Sequence, residues 1–121
     1  MENVRFGEVE KRFADIVWEK VPITTKDLII VCEKEFNWKR TTTYTVLKKF
    51  CERGIFKTEN SVVSALVTRD YYYTVQGEIL LDEGFSGSLP AFIAAFSKKN
   101  NISETDFTAI SEILSKYKEA K

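Results

Sequence analysis

The apolar pattern of this chain changes character at Gly54, and that change limits the folds open to it. Before Gly54 the apolar side chains recur at helical spacing. Val9, Phe13, Ile16 and Val17 fall at i, i+4, i+7 and i+8, which predicts a helix from about Glu8 to Lys20 that Pro22 stops. Thr24-Thr25-Lys26-Asp27 reads as an N-cap with an acid at N3 and starts a second helix through about Glu35, with Leu28, Val31 and Cys32 toward its core. A third helix is predicted from about Arg40 to Arg53, with Gly54 as its stop. Beyond Gly54, Ile55 to Glu59 and Val62 to Val67 read as two strands joined by a tight polar turn at Asn60-Ser61. Three short helices followed by a hairpin is the order of a winged helix-turn-helix. In that arrangement the third helix enters a DNA groove and the hairpin touches the backbone beside it.

From Thr68 onward the pattern is helical again, at about Arg69 to Glu83, Leu89 to Lys98 and Glu104 to Lys118. Ser88 and Ser103 supply N-caps for the last two, and Gly84-Phe85-Ser86-Gly87 and Asn100-Asn101-Ile102 read as short loops. Three helices of about 50 residues are too small to bury this tail's apolar load alone, so it packs on the N-terminal half or on a second copy. Phe107, Ile110, Leu114 and Tyr117 recur at 3, 4 and 3 residues, a coiled-coil-like seam that favours a symmetric dimer. With Phe92 and Phe96 they are the candidate dimer contacts. The expected fold is mainly α with a small β-hairpin. A winged helix-turn-helix domain over residues 1–70 is followed by a helical C-terminal dimerisation region over residues 71–121.

The 121 residues contain no histidine, which removes Ser-His-Asp triads, Cys-His pairs and His-ligated zinc. Two cysteines, Cys32 and Cys51, cannot complete a four-ligand metal site and read as reduced core residues. Paired carboxylates such as Asp82-Glu83 are too commonplace to suggest acid/base catalysis, so no enzyme activity, metal or cofactor is expected. The first residues lack a signal-peptide core, and no apolar run approaches the roughly 20 residues of a membrane span. The expectation is a soluble cytoplasmic protein without membrane insertion.

Charge is balanced overall, 18 basic against 18 acidic residues, but it is not evenly spread. Residues 37–58 hold six bases (Lys39, Arg40, Lys48, Lys49, Arg53, Lys57) and one acid, Glu52, a net +5, whereas residues 1–36 are net −2. On a helical wheel the third helix gathers Thr43, Val46, Leu47, Phe50 and Cys51 on one arc. The other arc takes Thr41, Thr42, Tyr44, Thr45, Lys48, Lys49 and Glu52. Thr42, Thr45 and Lys49, at i, i+3 and i+7, project together as candidate readers of base edges, and Lys57 at the base of the hairpin is a candidate phosphate contact. The plain alternative is a solvated helix face. Three consecutive threonines, Thr41 to Thr43, are costly in a helix because β-branching restricts χ1, which favours a role other than helix stability. Tyr71-Tyr72-Tyr73 reads as interdomain packing, and Trp18 and Trp38 as core or helix-junction anchors.

Several short stretches also carry a resemblance: Ile16-Val17-Trp18 ending the first helix, Asn37-Trp38 before the third, Thr42 to Leu47 as TTYTVL, then Arg53-Gly54 and Gly87-Ser88-Leu89. Together, over about Phe6 to Lys118, they resemble the penicillinase-repressor family (BlaI, MecI, CopY). The resemblance implies a winged-helix transcriptional repressor, dimeric through its C-terminal helices, on palindromic operators of the TACA/TGTA type. Thr42 and Thr45 match threonines of the family's recognition helix. Lys49 stands where an arginine is usual, an exchange that keeps charge but loses a bidentate fork. Thr41 replaces a common lysine, and Lys39-Arg40 a Ser-Pro start. The Asn-Phe bond cleaved in well-studied members corresponds to Ala95-Phe96, so induction by that route is not expected, and the copper-responsive branch's C-terminal cysteines are absent. A rival reading keeps the winged helix as a protein-interaction module that does not read DNA, with Glu52 on the outer face in its favour.

Overall fold

A computed structural model describes residues 6–119. The chain divides into two compact units after Ile79. The first contains α1 (Glu8–Lys20), β1 (Ile23–Thr24), α2 (Thr25–Phe36), α3 (Arg40–Glu52), β2 (Phe56–Glu59) and β3 (Val62–Ala65). Helix α4 (Arg69–Phe85) begins in the first unit and ends in the second, which continues with α5 (Leu89–Lys99) and α6 (Glu104–Glu119). The predicted mainly helical fold with a winged hairpin is what forms.

Local chemistry sets the boundaries. Thr24 Oγ1 accepts from the Asp27 amide at 3.1 Å and caps α2. Asn37 ends that helix in the left-handed region at φ 57°, a stop the sequence reading did not use. Gly54 at φ 76° releases the chain from α3 into β2. The expected loop at Gly84-Phe85 is instead the last turn of α4. The turn needs its positive φ at Ser86 and Gly87, where the Gly87 amide donates back to Leu81 O at 2.9 Å, and Gly84 costs little in a helix end.

The sheet has three strands in the order β1-β3-β2, all antiparallel, with Ile23 opposite Val63 and Phe56 opposite Ala65. Strand β1 was not foreseen, because two residues carry no readable period. It makes β3 the central strand, and the Thr25 amide donates to Ser61 O at 2.9 Å beside it. The core of the first unit is Phe6, Phe13, Val17, Leu28, Cys32, Leu47, Phe50, Ile55, Phe56, Val63 and Tyr72. Phe50 stacks on Phe6 at 4.3 Å and meets Phe13 and Phe56, each at 5.5 Å. Trp18 anchors the other end: its ring meets Phe56 and Tyr72, and its Nε1–H donates to Val67 O at 3.0 Å. Of the three tyrosines, Tyr72 is thus buried within the first unit and Tyr71 is exposed.

In the second unit Phe92 lies between Phe85, at 5.4 Å, and Phe96, at 6.0 Å. No side chain of α5 or α6 is buried among the described residues.

Asn60 and Ser61, at φ 52° and 61°, form the hairpin turn in a conformation that L-residues resist. Ser61→Gly is therefore expected to raise stability by roughly 0.5 kcal/mol, the left-handed penalty less the entropy of glycine, as a shift of the urea midpoint at constant slope.

Candidate nucleic-acid interface

Burial of Thr43, Leu47 and Phe50 turns the opposite side of α3 outward, and Thr41, Thr42, Tyr44, Thr45, Lys48, Lys49 and Glu52 are all exposed. At 100° per residue Thr41, Thr45, Lys48 and Glu52 occupy the middle of that arc. Thr42 and Lys49 lie at its edge toward α1. Tyr44 lies at the edge toward the hairpin, where a cleft of about 260 Å³ is lined by Tyr44, Leu47, Lys48, Cys51 and Thr58. Both cysteines are free, Cys32 in the core and Cys51 half-buried with its Sγ 3.7 Å from Thr58 Oγ1.

The start of α3 is electropositive in two ways. Lys39 is its N-cap and makes no side-chain cap, and the first turn contains no acid. Unsatisfied N–H groups and the positive end of the helix dipole therefore coincide with Lys39 and Arg40, an arrangement that disfavours the isolated helix and favours an anion placed there. The Arg40 guanidinium sits 5.7 Å from the Tyr44 ring. A hydrogen bond with Thr25, and then Arg40, hold the Tyr44 phenol below its usual range.

The threonines are not equivalent. Thr43 is buried, its hydroxyl 3.5 Å from Lys39 O. Thr45 is exposed, and its hydroxyl donates to Thr41 O at 2.9 Å. That back-bond uses the only O–H hydrogen, so Thr45 is left with acceptor lone pairs and a methyl group. Thr41 and Thr42 are exposed beside it.

Among the described residues, two of the six basic residues of the stripe form ion pairs with acids. Lys57 Nζ lies 3.6 Å from Glu59 Oε2 on the same strand, an exposed pair of little strength. Lys49 Nζ donates to Glu10 Oε2 at 2.6 Å, while Glu10 Oε1 accepts from the Gly7 amide at 3.1 Å. Glu10 is thus shared between the start of α1 and the outer face of α3, and the Lys49 hydrogen bond, with the Gly7 amide and the charges of Lys49 and Arg53, lowers its pKa against a smaller opposing effect of burial. The i, i+3, i+7 pattern foresaw Lys49 projecting with Thr42 and Thr45. It gave no sign of Glu10, which lies 39 positions away, nor of Arg53 over the Phe6 ring at 5.7 Å.

In the second unit Phe92 is half-buried, and Phe96, Phe107, Ile110, Leu114 and Tyr117 are exposed; Phe107, Leu114 and Tyr117 keep 60% or more of their surface. Among the described residues no single helix is long and apolar enough to cross a membrane. No group of three or more Cys, Asp or Glu among them is placed to hold a metal ion. The family model of the penicillinase repressors matches residues 6–116. No curated protein matches the chain.

The Glu10 pair predicts a pH dependence. Because the folded-state pKa lies below the ordinary 4.5, the pair adds stability above that value and loses it as pH falls through the lowered one. The difference in urea midpoint between the native protein and Glu10→Gln is expected to be largest near neutrality and to close below about pH 4.

Proposed function

The chain belongs to the penicillinase repressor family, a family of DNA-binding transcriptional repressors, and we propose that it acts as a homodimer on a pseudo-palindromic operator, with α3 of each subunit in the major groove. The observation that carries this reading is the outer face of α3. It is polar and basic, exposed along its length, and set beside an uncapped, doubly cationic helix start.

Contacts divide by chemistry. Lys39, Arg40 and the free N–H groups of the first turn of α3 hold a phosphate at the groove edge, and Lys57 on the hairpin holds another. Thr41, Thr42, Thr45 and Lys48 face the bases, with Tyr44 beside them. With its hydrogen committed to Thr41 O, Thr45 meets a thymine methyl or accepts from an adenine or cytosine amino group, and it does not donate to guanine. Lys48 supplies the cation for guanine acceptors or phosphate, and no described acid pairs with it. The exposed apolar residues of α5 and α6 support a dimer contact through Phe92, Phe96, Phe107, Ile110, Leu114 and Tyr117. Residues 71–121 then serve as the dimerisation region and residues 1–70 as the reader. Dyad symmetry places half-site centres about one helical turn apart, or a multiple of it.

Fluorescence anisotropy with a labelled TACA/TGTA palindrome and a scrambled duplex tests the reading at about 50 and 200 mM salt. Preference for the palindrome at both salts is the expected result; equal, weak binding to both would leave the interaction-module reading. Thr45→Ala is expected to cost about 1 kcal/mol on the operator and nothing on random DNA, with Thr45→Val close to native where the methyl is the contact. Lys57→Ala should weaken both duplexes alike and flatten the salt slope. Leu114→Glu places a charge in the proposed seam and should shift the protein to monomer in sedimentation velocity, with loss of tight operator binding.

A further inference from the structure

The placement of Glu10 assigns it a role that the charge of α3 alone does not suggest. Its carboxylate reaches Lys49 across 39 positions of sequence, at 2.6 Å, and its second oxygen is committed to the Gly7 amide. The backbones on both sides favour this arrangement. Glu10 sits in the first turn of α1 with one oxygen held by the Gly7 amide, while Lys49 precedes the fully buried Phe50, which sets the side of α3 from which its side chain leaves. Arg53, one turn on, adds a second positive charge near the same carboxylate. Glu10 keeps a quarter of its side-chain surface and Lys49 nearly half, so the pair lies at the edge of the exposed arc, beside Thr42.

We propose that Glu10 limits the protein's sequence-independent affinity for DNA: it occupies the Lys49 ammonium in place of a DNA phosphate and so withholds one cation from backbone binding. The inference rests on the DNA-reading role of α3 argued above. Sequence-independent affinity scales with the number of phosphates neutralised, whereas the base-facing Thr41, Thr45 and Lys48 are untouched by the pair. An internal carboxylate on Lys49 therefore lowers affinity for every sequence alike and leaves discrimination to the middle of the helix.

Glu10→Gln tests this with the fold retained, because glutamine still accepts from the Gly7 amide. The measurement is affinity of the full chain for a random-sequence duplex between 50 and 200 mM salt. Freed Lys49 is expected to steepen the slope of log K against log salt by about 0.9, so that the variant loses about 3.5-fold more affinity than the native protein over that range. Lys49→Gln alone should leave the native slope unchanged, and added to Glu10→Gln it should cancel the gain. A native slope in Glu10→Gln overturns the proposal. So does a flattened slope in Lys49→Gln alone, which is read even if the Glu10 variant does not fold. If neither the native protein nor the variants bind any duplex, the DNA-reading role fails and takes this proposal with it, an outcome distinct from binding with equal slopes.

Discussion

The orientation of α3 depends on the burial of Phe50. Its ring is enclosed by Phe6 ahead of α1, Phe13 on α1 and Phe56 on β2, so one side chain ties the helix to both of its neighbours. Leu47 and Thr43 extend the same buried line. Burying a phenylalanine is worth about 1.5–3 kcal/mol and each good aromatic pair about 0.5–1.5 kcal/mol more. Three threonines in place of alanine cost roughly 2 kcal/mol of helix propensity. Packing wins, which is how a helix with an uncapped start and a β-branched run is held straight with its polar face outward. A rotation by one residue, 100°, would bury Tyr44 and Lys48, or Thr42 and Lys49, instead.

Much of this was legible because the determinants are local or periodic. The helix starts at Glu8 and Arg40, the Thr24 cap, the Gly54 stop and the turn at Asn60-Ser61 each follow from a few adjacent residues, and the two arcs of α3 follow from a 100° repeat. The illegible features are pairings across the chain. Strand β1 exists because β3 offers it an edge, Trp18 is anchored by a carbonyl 49 residues away, and Glu10 meets Lys49 only once α1 has packed on Phe50. The back-bond of Thr45 belongs to a third kind. It is local in sequence, but whether an exposed threonine turns its hydroxyl to the backbone is decided by a rotamer that no residue pattern records.

The two units differ in how they satisfy their apolar residues. The first closes a core with side chains from α1, α2, α3, the hairpin and the start of α4, and Tyr72 is drawn into it against Trp18. The first turn of α4 is further held to α1 by the Arg69 to Asp15 ion pair at 2.8 Å. In the second unit the described apolar residues of α5 and α6 keep large exposed surfaces, and a 40-residue assembly of helices is below the size at which a single chain buries enough surface. In the proposed dimer a second copy would supply what one chain lacks and would double the number of half-site contacts, so that stability and operator recognition would draw on the same association.

Net charge hides how binding strength is distributed. The basic stripe of +5 is counted over residues 37–58, yet Glu10, outside that span, takes Lys49, while Glu59 pairs only weakly with Lys57. What remains most available is concentrated at the start of α3, where Lys39 and Arg40 reinforce the helix dipole, and at Lys48 in the middle of the face. Positive charge that is spread evenly binds any duplex; in the proposed complex, charge concentrated at one helix end would fix where a phosphate sits and therefore which bases the threonines meet. In a genome the useful quantity is the ratio of operator to random affinity. Under the proposed function, pairing Lys49 internally would give up absolute affinity for every sequence, and discrimination would rest with Thr41, Thr42, Thr45 and Lys48.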